Sequence, residues 1–126
     1  MLGNKDAVAT AAVKDLEAAK RFYEDKLGLK PVQAEDMDTI TYKTGGSSLL
    51  VYESQFAGTN KATTVTWGVG DEFDDIVKSL QAKGVSFERY DGLPDVTREG
   101  DVHRVGDLKL AWFKDPDGNI HHLISL

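Results

Sequence analysis

One stretch near the end of the chain decides the fold: Phe113-Lys114-Asp115-Pro116-Asp117-Gly118-Asn119-Ile120-His121-His122-Leu123-Ile124. Pro116 presets the first corner of a tight turn, and Gly118 can adopt the positive φ that such turns use. Apolar residues lie on both sides, at 110–113 and 120–124. The pattern predicts two antiparallel strands joined by a short hairpin. Its aspartates are expected to shape the turn and not to act as a catalytic pair.

The first part of the chain predicts a β-α-β-β-β order. Residues 7–13 are small and mostly apolar, which indicates a buried strand. Asp15 follows, and its carboxylate can accept hydrogen bonds from the free N–H groups at the start of a helix. The helix carries one apolar stripe and ends at Gly28, which tolerates the positive φ of a C-cap. Three further strands are predicted over 29–35, 39–43 and 48–52, with a turn at 36–38.

The same order starts again after a polar linker at 54–62. It runs through a strand over 63–69, a second helix and a strand over 85–90. Such self-similarity indicates a duplicated supersecondary unit. The residues that mark the strand end, the helix N-cap and the helix stop recur at one constant offset: Val13 with Val69, Asp15 with Asp71, and Gly28 with Gly84.

We therefore predict a single α+β domain of two modules over residues 1–126. Module one spans about 5–53, the linker 54–62 and module two about 63–126. The second module carries an insertion at 91–107 before its final hairpin, and loops of such length are often functional or mobile. The insertion contains Arg98, His103 and Arg104.

The composition narrows the class of protein. The chain has 126 residues, of which 40% are hydrophobic, and this suffices for one domain with its own core. The net charge of −6 argues against nucleic acid and anionic membranes as partners, because both would repel an acidic protein. The absence of cysteine excludes disulfides, thiol nucleophiles and thiolate metal sites. No run of about 18 apolar residues occurs, and the expected location is the cytoplasm.

Two stretches resemble a known superfamily. They are residues 13–29, VKDLEAAKRFYEDKLGL, and residues 112–119, WFKDPDGN. Together they are similar to the vicinal oxygen chelate superfamily, which includes glyoxalase I, bleomycin-resistance proteins, fosfomycin-resistance enzymes and extradiol dioxygenases. The resemblance implies two βαβββ modules whose mixed sheets curl around a concave cavity, often completed across a homodimer.

The resemblance also locates four positions where metal-dependent members carry His, Gln or Glu ligands. They lie on the first and last strand of each module, and here they hold Val8, Leu50, Thr64 and His122. Valine and leucine cannot ligate a metal, threonine is a poor ligand, and a divalent cation normally takes three or more protein ligands. We therefore predict no metal and no other cofactor. This departure argues against glyoxalase, dioxygenase or fosfomycin chemistry, in which the metal acts as a Lewis acid.

A displaced site for a divalent metal is the alternative. Glu88, His103 and His121 would have to join His122 around one ion. Neighbouring residues of a strand face opposite sides, so His121 and His122 cannot both point at the same ion without distortion. The sequence therefore favours a metal-free site.

Strand alternation separates the side chains that face the helices from those on the concave face. Trp67 and Phe113 are expected to face the helices as core residues. Aromatic faces with a few polar groups suit a planar or cationic organic ligand. The predicted ligand-binding residues are Tyr52, Thr64, Thr66, Tyr90, Trp112 and His122, with Glu88 beside them.

His122 and Glu88 are the candidate catalytic residues. An imidazole with an ordinary pKa of about 6.5 can act as a general acid or base, and the Glu88 carboxylate would favour a cation. The same residues also have structural interpretations. Tyrosine and tryptophan are typical of sheet packing and dimer interfaces, and His121 and His122 could be surface residues near the chain end.

Three functions stay open at this point. The leading prediction is metal-independent binding of an aromatic or cationic small molecule in the cavity of a homodimer, as in bleomycin-resistance proteins. The second is an enzyme, a lyase, isomerase or dioxygenase-like protein, that uses His122 and Glu88 or an atypical metal site. The third is a domain that dimerises or docks on another protein.

Overall fold

The computed structural model describes residues 1–32 and 38–126, which adopt an α+β fold. The strands are β1 (Ala9–Val13), β2 (Lys30–Pro31), β3 (Thr39–Thr44), β4 (Ser47–Glu53), β5 (Thr63–Gly68), β6 (Phe87–Glu88), β7 (Thr97–Glu99), β8 (Val102–Val105), β9 (Leu108–Lys114) and β10 (Ile120–Ile124). The helices are α1 (Leu16–Lys20), continued by a π-helical turn (Arg21–Lys26), and α2 (Phe73–Ala82), preceded by a 3-10 turn (Gly70–Glu72). Among the described residues, no helix has the length and apolarity needed to span a bilayer.

The strands form two mixed sheets, one from each module. The first sheet has the order β1-β4-β3-β2. The second has the order β5-β10-β9, with β6 and β8 sharing the outer edge of β9 and β7 beyond β8. In each module the first strand runs parallel to the last, and the other pairs are antiparallel. The repeated order and pairing confirm the two predicted βαβββ units.

The insertion predicted at 91–107 contains two strands that were not predicted. β7 and β8 form a hairpin that extends the second sheet from the edge of β9. Two-residue turns, Gly100-Asp101 and Gly106-Asp107, connect β7 to β8 and β8 to β9, and both glycines have positive φ. Hairpins with two-residue turns require this backbone conformation. The expectation of a loop was wrong here, and the repeated Gly-Asp pair is the signal that predicts the turns.

The first helix begins as predicted, and the second does not. Asp15 Oδ1 accepts a hydrogen bond from the Glu17 N–H (2.9 Å), so Asp15 is the N-cap of α1. Asp71 instead lies inside the 3-10 turn, and Glu72 holds the N-cap position of α2, where no described side chain caps the helix. The prediction for Asp71 was wrong because an additional turn, entered at Gly70 with positive φ, separates the strand from the helix.

Two predicted strands are shorter in the structure. β2 covers two residues of the strand predicted over 29–35, and residues 33–37 lie outside the described part of the chain. β6 covers two residues of the strand predicted over 85–90. β6 is short because β8 occupies the remainder of the same edge of β9.

A hydrophobic cluster drawn from both modules packs between the sheets and the helices. Its largest fully buried members include Tyr23, Tyr42, Phe73 and Phe113. The Phe22 ring, on the π-helical turn of module one, lies 6.3 Å from the Phe113 ring of β9. The first helix therefore packs on the sheet of the second module, and the two modules share this core.

The turn at 115–119 connects module two to module one. Asn119 Nδ2 donates to the Ala12 carbonyl oxygen (2.6 Å), and the Lys14 N–H donates to Asp117 Oδ2 (3.1 Å). Asp115 Oδ1 accepts from the backbone N–H groups of Asp117 and Asn119 (2.9 and 2.8 Å), which closes the turn. Asp115 therefore stabilises the turn and Asp117 links it to module one, so both aspartates have structural roles, as predicted.

Candidate functional site

Four predicted site residues form one line across the second sheet. Thr66 is the register partner of His122, His122 is the partner of Trp112, and Trp112 is the partner of Glu88. Directly opposed residues of neighbouring strands project to the same face of a sheet. The alternate residues of these strands, among them Phe113, are buried against the helices. The four side chains therefore stand on the concave face.

The rings on this face are in contact with one another. Trp112 stacks on His122, with ring centroids 4.7 Å apart and planes inclined by 13°. Tyr90 meets Trp112 edge-on at 5.3 Å and 75°. The geometry brings three of the predicted ligand-binding residues, from three different segments, into one aromatic surface.

His103 belongs to this surface, although it was not among the predicted ligand-binding residues. It lies on β8 with 0% of its surface exposed, and its ring meets the Trp112 ring edge-on at 4.8 Å. We call Tyr90, His103, Trp112 and His122 the aromatic row. Its place was hidden because residues 97–105 were expected to be a loop, whereas the structure has a strand over Val102–Val105.

Two imidazole nitrogens in the aromatic row lack partners. His103 Nε2 accepts a hydrogen bond from the Tyr90 N–H (2.9 Å), so the ring proton lies on Nδ1. Among the described residues, neither His103 Nδ1 nor His122 Nε2, both buried, has a hydrogen-bond partner. Burial lowers the pKa of His122 below its ordinary value, which keeps this imidazole neutral at pH 7. The row thus combines ring surfaces with two buried polar nitrogens.

Glu88 has a counterion next to it. Its Oε1 lies 3.0 Å from Lys114 Nζ, with both side chains partly exposed. This ion pair raises the pKa of Lys114 and weakens the attraction that an unpaired Glu88 would have for a cation. Glu88 and His122 flank Trp112 from opposite strands, about 10 Å apart at the spacing of neighbouring strands. They are therefore separated by the indole and do not form a directly contacting acid–base pair.

Tyr52 and Thr64 lie in a different place from the aromatic row. They line a cavity of about 360 Å³ together with Thr10, Phe56 and Asn119. We call this the junction cavity, because it lies where β1 and β5 approach each other. The predicted ligand-binding residues are thus divided between two neighbouring regions of the concave face.

The side chains at the family's metal positions do not fit a divalent ion. Val8 and Leu50 carry no donor atom, and Thr64 and His122 supply one weak and one good donor. Within residues 1–32 and 38–126, no group of three or more His, Asp or Glu side chains is arranged to hold a metal. His121 does not complete such a group, since its side chain is buried on the face opposite to His122.

His121 is part of a buried polar chain, and the interpretation as a surface residue was wrong. Trp67 Nε1–H donates to His121 Nδ1 (3.0 Å), and His121 Nε2 lies 3.0 Å from the Tyr23 hydroxyl. The Tyr23 hydroxyl donates its one proton to Asp115 Oδ2 (2.8 Å), so Nε2–H must donate to the tyrosine oxygen. Burial lowers the pKa of His121 to about 4. The chain is structural and faces the core, not the ligand side.

A family model described as Glyoxalase/Bleomycin resistance protein/Dioxygenase superfamily matches residues 7–123. Among solved structures, the glyoxalase family protein from Enterococcus faecalis is 19% identical with a TM-score of 0.73, covering 98% of this chain and 99% of that one. The fosfomycin resistance protein FosX from Listeria monocytogenes is 18% identical with a TM-score of 0.69, covering 100% and 93%. Lactoylglutathione lyase from Agrobacterium tumefaciens is 19% identical with a TM-score of 0.69, covering 98% and 95%. No curated protein matches the sequence.

The sequence identity to each of these structures is below 25%, so the similarity shows the fold alone. The family model, in contrast, spans nearly the whole chain, from the strand that opens module one to the strand that closes module two. The resemblance of the 13–29 and 112–119 stretches pointed to the same group. The chain belongs to the Glyoxalase/Bleomycin resistance protein/Dioxygenase superfamily.

Proposed function

We propose that this protein binds a small aromatic or cationic organic molecule on its concave face without a catalytic metal. The aromatic row is the observation that carries the proposal. Its four rings come from three strands and the segment after β6, and they lie within 4.7 to 6.0 Å of one another along the row. Aromatic side chains with a few polar atoms are typical of sites for planar organic ligands.

The unpartnered nitrogens specify the ligand further. A buried polar atom without a partner costs about 1–3 kcal/mol, so a ligand that supplies the missing hydrogen bond recovers that free energy. His103 Nδ1 carries a proton and needs an acceptor. His122 Nε2 can accept or donate, according to its tautomer. A planar ring bearing a carbonyl or ring nitrogen would meet these requirements once the row opens enough to admit it, since both nitrogens are buried. Lys114 beside Glu88 reduces the benefit of a positive charge.

A homodimer would complete the site. The predicted ligand-binding residues are split between the aromatic row and the junction cavity, and Tyr52 and Phe56 remain 37% and 67% exposed. A second copy placed over these aromatic side chains would bury them and close the open side of the concave face. We propose this arrangement for the whole site, while the aromatic row already exists in a single chain.

A ligand screen with two matched variants tests the proposal. A ligand that binds the folded state raises the melting temperature, so the screen uses thermal shift with planar heteroaromatic carbonyl compounds and aromatic cations. Trp112→Ala should weaken the best binder about tenfold or more, since an aromatic side chain contributes about 1.5–3 kcal/mol of apolar contact. Phe56→Ala, a similar truncation in the junction cavity, should have a smaller effect.

The reverse order of effects would place the ligand in the junction cavity and contradict the assignment to the aromatic row. If Trp112→Ala and His122→Ala leave the affinity of every detected ligand unchanged, the proposed site is wrong. Circular dichroism of each variant separates a loss of binding from a loss of fold.

An enzyme that uses His122 is the second candidate. The observation in its favour is the neutral His122 imidazole, whose Nε2 has no partner among the described residues and could exchange a proton with a ligand. Elemental analysis after incubation with Ni, Zn, Mn or Fe separates the two candidates. Tight binding of one equivalent of metal would overturn the metal-independent proposal and favour the chemistry of the metal-dependent members.

A further inference from the structure

The helix side of the second sheet carries a cleft that the proposed function does not use. It lies between the end of the first helix and α2 and has a volume of about 240 Å³. Trp67 and Phe113 form its floor. Phe113 alternates with Trp112 on β9, and Trp67 alternates with Thr66, the register partner of His122, so the cleft and the aromatic row lie on opposite faces of the sheet.

The walls of this cleft are apolar and incompletely covered. Ile76 and Leu80 form one wall, four residues apart on one face of α2, and Leu27 and Leu29 form the other. Leu27, Leu29, Ile76 and the floor residue Trp67 are all half-buried, whereas Phe113 is buried in the core. Apolar surface that remains in contact with water is free energy that a bound apolar group would recover.

One end of the cleft is positively charged. Lys26, at the end of the π-helical turn, and Lys83, at the C-cap of α2, both line it. Lys83 Nζ lies 3.5 Å from the Asp25 carbonyl oxygen, which places the two lysines at the same end. Within the described part of the chain, no carboxylate forms an ion pair with either lysine. Two ammonium groups without a carboxylate partner among the described residues therefore lie at one end of an apolar cleft, in a chain with a net charge of −6.

We infer that this cleft binds a monocarboxylate with a short apolar tail, of the medium-chain fatty acid class. The tail would lie on Trp67 between the two leucines and Ile76, and the carboxylate would lie between Lys26 and Lys83. The α2 wall from Ile76 to Lys83 is about 10 Å long at the rise of an α-helix, which suits a short acyl chain.

Octanoate is the probe, and the two tryptophan side chains report on its position. The 15N-labelled full-length chain is titrated with octanoate, and the two indole N–H signals are assigned with Trp112→Phe. We expect a saturable shift of the Trp67 signal, while the Trp112 signal stays in place. The neutral analogue 1-octanol should bind at least tenfold more weakly, and butyrate, which keeps the charge and shortens the tail, should not saturate the cleft.

Charge-reversed variants test the role of the lysines. Lys26→Glu combined with Lys83→Glu should weaken octanoate binding at least tenfold. Lys78→Glu, at an exposed position of α2 outside the cleft, should leave it within twofold. The inference is overturned if octanoate moves the Trp112 signal in place of the Trp67 signal, if 1-octanol binds as tightly as octanoate, or if the double variant binds as Lys78→Glu does. The first outcome would place octanoate at the aromatic row, whereas the other two outcomes do not bear on that row, so the two proposals can be told apart.

Discussion

At His121, burial decides both the charge and the tautomer of the side chain. Nδ1 accepts from Trp67, Nε2–H donates to the Tyr23 oxygen, and that hydroxyl donates to Asp115, so both ring nitrogens of His121 and the Tyr23 hydroxyl have partners. A protonated imidazole would face the Trp67 N–H with a second N–H group and lose that hydrogen bond. Alternation predicted that His121 and His122 face opposite sides. The sequence did not show which of the two would be enclosed, because that depends on where the first helix packs.

The first prediction concerns the pH dependence of folding. The pKa of His121 is lowered from the ordinary value of 6.5 to about 4. Between these values the unfolded chain binds a proton that the folded chain does not, so the free energy of unfolding should fall as pH drops from about 6.5 to about 4. The loss attributable to this group is roughly 3 kcal/mol, and it levels off below pH 4.

Urea unfolding between pH 4 and 8 measures this loss, and NMR titration of the His121 ring identifies its source. His122 shifts in the same direction, so His122→Gln serves as the control and should retain most of the pH dependence. A His121 ring that titrates near pH 6.5 would contradict the prediction.

The second prediction removes one link of the same chain. Tyr23→Phe leaves Asp115 Oδ2 and His121 Nε2 without their hydroxyl partner in the core. We expect the free energy of unfolding to fall by about 2–3 kcal/mol, because buried polar groups lose a hydrogen bond without gaining water. Tyr52→Phe, the same change at an exposed tyrosine, should alter it by about 0.5 kcal/mol or less. Equal effects in the two variants would show that the buried chain adds little to stability.

At the scale of the elements, the turns determine which strands pair and which side chains come into contact. The Gly100-Asp101 turn closes the hairpin at 97–105, and the Gly106-Asp107 turn joins it to β9 and so brings His103 into contact with Trp112. The segment between the modules is also constrained. Gly58 has a φ of 78°, and a Cβ placed there would overlap the Asp117 carbonyl oxygen. The linker therefore packs tightly on the turn at 115–119 that joins the modules.

The third prediction uses two glycines with the same backbone conformation. Gly58 and Gly92 have φ values of 78° and 85°, but a Cβ at Gly92 meets nothing within 4 Å. Both alanine substitutions should cost about 1–2 kcal/mol for the left-handed backbone. Gly58→Ala should cost at least about 1 kcal/mol more, because the linker must move away from the turn. Urea denaturation of both variants measures the difference in the free energy of unfolding. Equal losses would mean that the linker moves away from the turn at no cost.

On the scale of the whole molecule, the helix of one module packs on the sheet of the other. The core faces and the concave faces are thereby separated, and the concave side is left open with Tyr52 and Phe56 exposed. An open aromatic surface of this kind is typical of an interface. The predicted ligand-binding residues are split between the aromatic row and the junction cavity, and this split also favours a second copy that closes the site.

The fourth prediction is that the protein is a homodimer in solution. Sedimentation equilibrium should give twice the chain mass of 13.8 kDa. Phe56→Asp should shift the equilibrium toward the monomer, because it places a charge in the proposed interface. Val32→Asp, an equally charged change at another exposed apolar residue, serves as the control. A monomer at micromolar concentration would leave the aromatic row as a single-chain site and remove the proposed dimer cavity.

The sequence by itself determined the duplicated βαβββ order, the cap at Asp15, the hairpin at the end of the chain and the face on which Trp112, His122, Thr66 and Glu88 stand. These features follow from local rules, since turn chemistry and side-chain alternation act over a few residues. The tertiary structure alone decided that His103 joins Trp112, that Tyr52 and Thr64 line a separate cavity, that Lys114 pairs with Glu88 and that His121 is enclosed by Tyr23 and Trp67. Each of these contacts joins residues distant along the chain, and strand register and helix packing, which bring them together, are set by the core as a whole.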